Sequence, residues 1–188
     1  MRVQGWSGIL KIDQVFEHDI SEELAASIQT LLIDSFSEIY PKDRIYFKQL
    51  PHFRLLAFNY EYQLIGHVGL DYRIMNLNGE SIRVLGLIDL CVSKNVRSQG
   101  IASALLLEIE KLSVTGNIDF ILLCADNMNL YLRSGYKPVK NKIKWLKIDN
   151  EKMITNGIGF EEIDGIMIKK VGKIDWSEGD LDFFGYLY

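Results

Sequence analysis

The stretch Leu90-Cys91-Val92-Ser93-Lys94-Asn95-Val96-Arg97-Ser98-Gln99-Gly100-Ile101-Ala102 reads as an apolar strand, a polar turn and the opening of a helix. A helix that starts near Ser98 leaves its first N–H groups without intrahelical acceptors. Those donors, with the positive end of the helix dipole, form an anion site. Arg97 adds a fixed cation, and Gly100 lets a bulky ligand approach the backbone with no Cβ in the way. Ala102 is small in the same sense, and a diphosphate suits such a nest. The same residues also read as a solvated loop before an amphipathic helix, because a short glycine pattern is weak alone. Context favours the anion reading: an apolar strand precedes the turn, and a second buried strand and a short helix follow its helix.

The other residues able to do chemistry are few. Asp89 sits inside the apolar run that ends at Val92, and His67 inside another. A histidine there is either a satisfied core residue or a base whose ordinary pKa suits neutral pH. His18 and His52 stand in polar surroundings with no partner legible in the sequence. The two cysteines, Cys91 and Cys124, both lie in apolar runs and read as buried small residues, not as a disulfide or metal ligands. No cluster has metal-ligand spacing.

The elements that must position these groups follow from periodicity. Ser21 is a good N-cap with Glu22 and Glu23 behind it, and Leu24, Ile28, Leu31, Leu32 and Phe36 recur at helical spacing. Residues 53–60 and 63–75 form two strands joined by a turn at Glu61 and Tyr62. A turn at Asn76-Leu77-Asn78-Gly79 leads to a strand over 81–92. A helix is expected over 98–112, a doubly buried strand over 118–124, and a short helix over 127–134 that stops at Gly135. Strands over 143–148 and 163–171 complete the chain. The order predicts an α+β fold around a mixed sheet.

At 188 residues, 48% hydrophobic and 24% charged, the chain reads as a single domain over 1–188. A chain of this length buries roughly two-thirds of its unfolded surface and needs no metal or disulfide to fold. The net charge of −4 without a basic run argues against a nucleic-acid partner. No apolar stretch approaches the roughly 18 residues of a membrane span. Residues 1–10 lack a signal-peptide core, so the expected location is the cytoplasm.

Two motifs in this order resemble the GNAT superfamily of N-acyltransferases. Arg97-Ser98-Gln99-Gly100-Ile101-Ala102 matches its Arg/Gln-x-x-Gly-x-Gly/Ala hallmark. Tyr131-Leu132-Arg133-Ser134-Gly135-Tyr136 matches its Tyr-x-x-x-Gly-Phe/Tyr. The resemblance implies a three-layer α/β/α fold with a central mixed, mostly antiparallel sheet flanked by helices. It implies acetyl-CoA bound by Leu90, Cys91 and Val92 and by Arg97, Ser98, Gln99, Gly100, Ile101 and Ala102. The pantetheine arm would lie along the 81–92 strand, whose terminal N–H groups would polarise the thioester carbonyl. Tyr131 would protonate the departing thiolate; without the resemblance it reads as an aromatic packing in its helix. The acceptor would be the amine of a small molecule, attacking directly, with no acyl-cysteine.

The tail narrows the resemblance. Asp175-Trp176-Ser177-Glu178-Gly179-Asp180-Leu181 is similar to a C-terminal motif of aminoglycoside 2′-N-acetyltransferases and nodulation-type N-acyltransferases, as are Ile65-Gly66-His67 and Asp164-Gly165. This branch implies an amino sugar or aminoglycoside acceptor held by Asp180 and Trp176, with residues from about 143 to 188 completing the acceptor side. Four acids among residues 175–182 also read as a solvated turn. The branch places a Glu where this chain has Ile88. Because one step along a strand reverses the side a residue faces, Asp89 replaces that Glu only if a bulge re-aims it. Glu38 and Asp43 fall near, but not on, the branch's acceptor acids. His67 is the remaining candidate base. A non-catalytic acyl-CoA sensor and a longer-chain acyltransferase are the alternatives, and family analogy adds a homodimer formed through C-terminal strands.

Overall fold

The computed structural model describes residues 10–36 and 40–188; Glu38 and residues 1–9 lie outside them. Its elements are β1 (Lys11–Phe16), α1 (Glu22–Phe36), β2 (Phe53–Phe58), β3 (Leu64–Leu77), β4 (Glu80–Val92), α2 (Ile101–Thr115), β5 (Phe120–Cys124), α3 (Asn129–Arg133), β6 (Lys137–Pro138), β7 (Asn141–Asp149), β8 (Ile154–Glu162), β9 (Ile166–Lys170) and β10 (Gly179–Tyr186). The chain divides into two compact units, Met1–Asp71 with Ile88–Glu108, and Tyr72–Leu87 with Ile109–Tyr188.

In the first unit, the Ser21 Oγ accepts the Leu24 N–H at 3.3 Å and its carbonyl takes the Ala25 N–H at 2.8 Å. This is the expected cap, worth about 1 kcal/mol. α1 then presses Ile28, Leu31 and Leu32 into a cluster with Leu56, Tyr40 and Cys91. β1, β2 and β3 form an antiparallel meander, with Phe16 opposite Phe53 and Phe53 opposite Leu70. Asn59 closes the β2–β3 turn by accepting the N–H groups of Glu61 at 3.0 Å and Gln63 at 2.9 Å. At Gly66 of β3 an added Cβ would meet Ile101 at 3.0 Å, so the missing side chain lets α2 close on this strand.

In the second unit the strand order is β6-β9-β5-β4-β3-β10-β7-β8. Asn78 (φ 52°) and Gly79 (φ 92°) make the β3–β4 hairpin turn with two left-handed residues, the type I′ geometry that suits strand twist. Only β4–β5 and β10–β7 are parallel; the other neighbours whose register is defined run antiparallel. The sheet is thus mixed and mostly antiparallel, as the sequence predicts. Its core gathers Met75, Val84, Phe120, Leu122, Ile143, Ile168, Leu181 and Phe183.

Several expectations shift. β1, β6, β8 and β10 were not foreseen: β8 carries Gly157 and Gly159, and β10 begins in what reads as an acidic tail. Asn78 shows why that tail pairs. Its amide donates to the Glu178 carbonyl at 2.6 Å and the Ser177 Oγ at 2.9 Å, and its oxygen accepts the Asp180 N–H at 2.7 Å. α2 starts at Ile101, not near Ser98, because Ser98 (φ 61°) and Gly100 (φ 83°) are left-handed and cannot continue a helix. Cys124 is exposed at the end of β5, whereas Cys91 is buried as expected; both are free thiols. No helix among the described residues is long and apolar enough to cross a membrane.

Candidate active site

β4 is a regular strand until Asp89, whose φ is 53°. A left-handed residue inside a strand is the mark of a bulge, and for a non-glycine it is held only by its surroundings. The half-buried Asp89 side chain accepts the Tyr40 hydroxyl at 2.8 Å. Burial pushes its pKa above the usual carboxylate range, against the lowering pull of the Tyr40 bond and of Arg54 and Lys48. Tyr40, stacked on Phe36 and packed against a tilted Phe47 ring, stays a hydrogen-bond donor because burial, and then Asp89, hold its proton on.

Behind the bulge lies a buried polar chain. The Arg54 Nη1 sits 2.8 Å from the His67 Nε2, and the His67 Nδ1 sits 2.9 Å from the Asp89 carbonyl. A guanidinium has only donors, so Nε2 accepts and Nδ1 carries the proton that goes to the carbonyl. Arg54 in turn grips Glu17 with two bonds, of 2.7 and 2.9 Å, and the Ile45 carbonyl at 2.9 Å. Burial, reinforced by the Arg54 charge, drives the His67 pKa down to about 3. Fully buried and with its lone pair filled by Arg54, this imidazole has no means of taking a proton from a substrate. The neighbouring Cys91 thiol is pushed up to about 12 by burial, which keeps it out of nucleophilic chemistry.

β4 pairs with β5 only from Val84 to Gly86. Among the described residues, the edge of β4 away from β3 therefore has no partner strand over 88–92. After Val92, the Ser93 N–H still bonds the Ile65 carbonyl at 2.9 Å, and residues Lys94–Val96 make one 3₁₀ turn. Arg97 is tied back by its Nε to the Val92 carbonyl at 3.2 Å. Ser98 and Gly100 then bend the chain left-handed, and Ala104 is the first amide of the turn to find a backbone carbonyl, that of Gly100 at 2.9 Å. The N–H groups ahead of it are the orphan donors that the sequence placed here, arranged as a nest. Ile101 is buried, so only its backbone can face a ligand, whereas Arg97 and Ser98 are exposed.

Tyr131, in the second unit, owes its position to the end of α3. The Tyr136 N–H bonds the Tyr131 carbonyl at 3.0 Å and the Gly135 N–H bonds that of Leu132 at 3.1 Å, with Gly135 at φ 83°. This is a Schellman motif, and its register fixes the Tyr-x-x-x-Gly-Tyr spacing. The Tyr136 ring packs edge-on against Tyr131 at 5.8 Å. Burial pushes the Tyr131 pKa up to about 12, and its hydroxyl bonds no other described residue. Trp176 packs on Phe120 at 5.0 Å and donates its Nε1–H to the Asn141 Oδ1 at 3.0 Å. The Asn141 amide continues to the Ser177 and Gly179 carbonyls, each at 3.1 Å. Asp180 is exposed on β10, while Asp175 and Asp182 are ion-paired to Lys170 and Lys144.

Asp89 and His67 meet at the left-handed residue of β4, directly before the 90–92 backbone. Tyr40, Arg54 and Glu17 were missed. For Arg54 there was a signal: a lone charge in the apolar run Phe53-Arg54-Leu55-Leu56 is buried only if it is paired. His52, without a legible partner, lies 2.8 Å from the buried Asp71. Among the described residues no group of three His, Cys, Asp or Glu could hold a metal.

The model of the acetyltransferase (GNAT) family matches residues 22–136. None of the curated protein sequences matches. Among solved structures, the chain is similar to a GNAT family N-acetyltransferase, YhbS, from Escherichia coli in complex with CoA. The identity is 17%, the coverage 93% of this chain and 88% of that one, and the TM-score 0.60. It is also similar to a GNAT family acetyltransferase from Brucella melitensis in complex with acetyl-CoA, at 15% identity, with 92% and 94% covered and a TM-score of 0.61. A third is Escherichia coli ElaA, at 13% identity, with 86% and 100% covered and a TM-score of 0.57.

Proposed function

The chain belongs to the acetyltransferase (GNAT) family, and on that premise we propose that it moves an acetyl group from acetyl-CoA to the amine of a small molecule by direct attack. The observation that carries this reading is the left-handed turn at Ser98 and Gly100, whose amides stay unpaired up to Ala104. Acetyl-CoA supplies the acyl group activated as a thioester. The amides of residues 98–103 and the Arg97 cation bind its diphosphate, and the open edge of β4 over 88–92 takes the amides of its arm. Those N–H groups of residues 90–92 that face this open edge polarise the carbonyl, with one such donor worth about 3 kcal/mol elsewhere. Asp89 removes the amine's proton and Tyr131 returns one to the sulfur.

The finer reading is an amino-sugar or aminoglycoside acceptor. Asp180 supplies the negative charge for it, and Trp176 buttresses that end of β10 through Asn141. The whole of residues 1–188 acts as one catalytic domain in this reading, with 143–188 on the acceptor side, and works in the cytoplasm. Thiol release from acetyl-CoA, screened over aminoglycosides, amino sugars, polyamines and amino acids, tests it. Turnover confined to amino sugars supports the finer reading, and turnover with another amine class removes it. Binding without release for every amine would point to a sensor.

Two variants sharpen the test. Gly100→Ala forces a Cβ into a left-handed position, at a cost of about 1–2 kcal/mol, so acetyl-CoA affinity should fall about tenfold by titration calorimetry. An unchanged affinity would mean that the diphosphate binds elsewhere. Asp89 must be ionised to act as a base, and burial raises its pKa. The rate should therefore fall, as pH is lowered, through a value above the ordinary carboxylate range near 3.9. Asp89→Asn should abolish that limb of the kcat/KM profile; a limb that persists assigns the base to another group.

A further inference from the structure

The buried chain from Glu17 through Arg54 and His67 ends on a backbone carbonyl, not on a reacting group. That carbonyl belongs to Asp89, the left-handed residue of β4. The peptide joining Asp89 to Leu90 is a rigid plane, and in a trans peptide the N–H points opposite to the C=O. Fixing the Asp89 carbonyl toward β3 therefore fixes the Leu90 N–H away from β3, toward the edge of β4 that has no partner strand. We propose that His67 is a positioning residue, locked in its Nδ1–H form by Arg54 and Glu17, that aims the Leu90 N–H at the thioester oxygen. This rests on the acetyl-transfer reading above and adds to it the residue that sets the oxyanion donor.

Each link in the chain has a directional task. Glu17 meets Arg54 through both its oxygens, which leaves Nη1 to face His67. That contact forces the imidazole to donate from Nδ1, the one nitrogen that reaches the bulge. An apolar residue at 67 would fill a similar volume but leave the Arg54 Nη1 without its acceptor and the Asp89 carbonyl free to rotate. An oxyanion donor works only when its N–H meets the developing charge at hydrogen-bond distance, so a small rotation is expensive.

The test compares the wild type with His67→Leu and His67→Gln, using acetyl-CoA carrying a ¹³C carbonyl and isotope-edited infrared spectroscopy. In the wild type the bound carbonyl band should lie below its position in water. In His67→Leu the band should move back toward the free position and kcat should drop about 10- to 100-fold. Acetyl-CoA affinity should change less than about threefold, because the turn at 97–103 is untouched. His67→Gln, which keeps an N–H donor, should recover part of both. A folded His67→Leu that keeps the wild-type band and kcat overturns the proposal while leaving acetyl transfer intact. A wild type that fails to bind acetyl-CoA sinks the acetyl-transfer reading itself. If His67→Leu does not fold, ¹⁵N spectra of the wild-type histidines decide. An Nδ1–H imidazole that does not titrate between pH 5 and 8 supports the lock, and an Nε2–H or titrating His67 overturns it.

Discussion

Tyr131→Phe should turn over at least about 100-fold more slowly than the wild type while binding acetyl-CoA equally well. Loss of a positioned acid in other enzymes costs 10²- to 10⁴-fold, and this phenol has the properties of one. Its hydroxyl bonds no other described residue, and burial, by pushing its pKa up to about 12, keeps it protonated at neutral pH. The substitution removes only that oxygen. The Schellman bonds to Leu132 and Tyr131 use backbone carbonyls, and the contact with Tyr136 uses the ring, so α3 should hold its shape. Steady-state thiol release with a saturating amine, beside calorimetric titration of acetyl-CoA, separates the two effects. An unchanged kcat would hand the proton transfer to water or to another group.

The second large effect is on stability. Glu17→Ala strands Arg54, whose side chain is only 1% exposed, without its carboxylate. Breaking a buried pair from one side costs about 3–5 kcal/mol, because the remaining charge stays desolvated. For a chain of this size each kcal/mol moves Tm by about 2–4 °C, so a fall on the order of 10 °C is expected by calorimetry. Removing both charges in Glu17→Leu/Arg54→Met should be milder than Glu17→Ala, since no charge remains buried. A Glu17→Ala protein that melts with the wild type would mean that water reaches the guanidinium.

What could be read from the sequence was what local chemistry dictates. Ser21 caps its helix because Ser before Glu-Glu has one good use for its hydroxyl, and Asn78-Gly79 turns because both residues tolerate positive φ. Tyr131 to Tyr136 was legible because a helix end has a fixed register. The rest depends on partners far apart in the chain. Tyr40 and Asp89 are 49 positions apart, and nothing near either residue announces the other. The same holds for Glu17 and Arg54, 37 apart. β10 was hidden because its pairing is written in Asn78, about a hundred residues earlier. The start of α2 was misplaced because Ser98 carries no outward sign of its left-handed backbone.

The placement of β10 also governs how the protein is made. It pairs antiparallel with β3 through Leu181 opposite Leu77, and parallel with β7 through Leu181 opposite Ile143. Of the described strands it leaves the ribosome last, yet it sits between two made earlier. Until it emerges, β7 and the end of β3 at Asn76 and Leu77 expose open edges, and Met75, Ile143 and Trp176 lack part of their cover. Closing so distant a contact is slow. The nascent chain should therefore need chaperone protection until residue 186 has cleared the exit tunnel. Truncation within 179–186 should yield aggregates, where loss of a peripheral strand would yield a weakened but soluble domain.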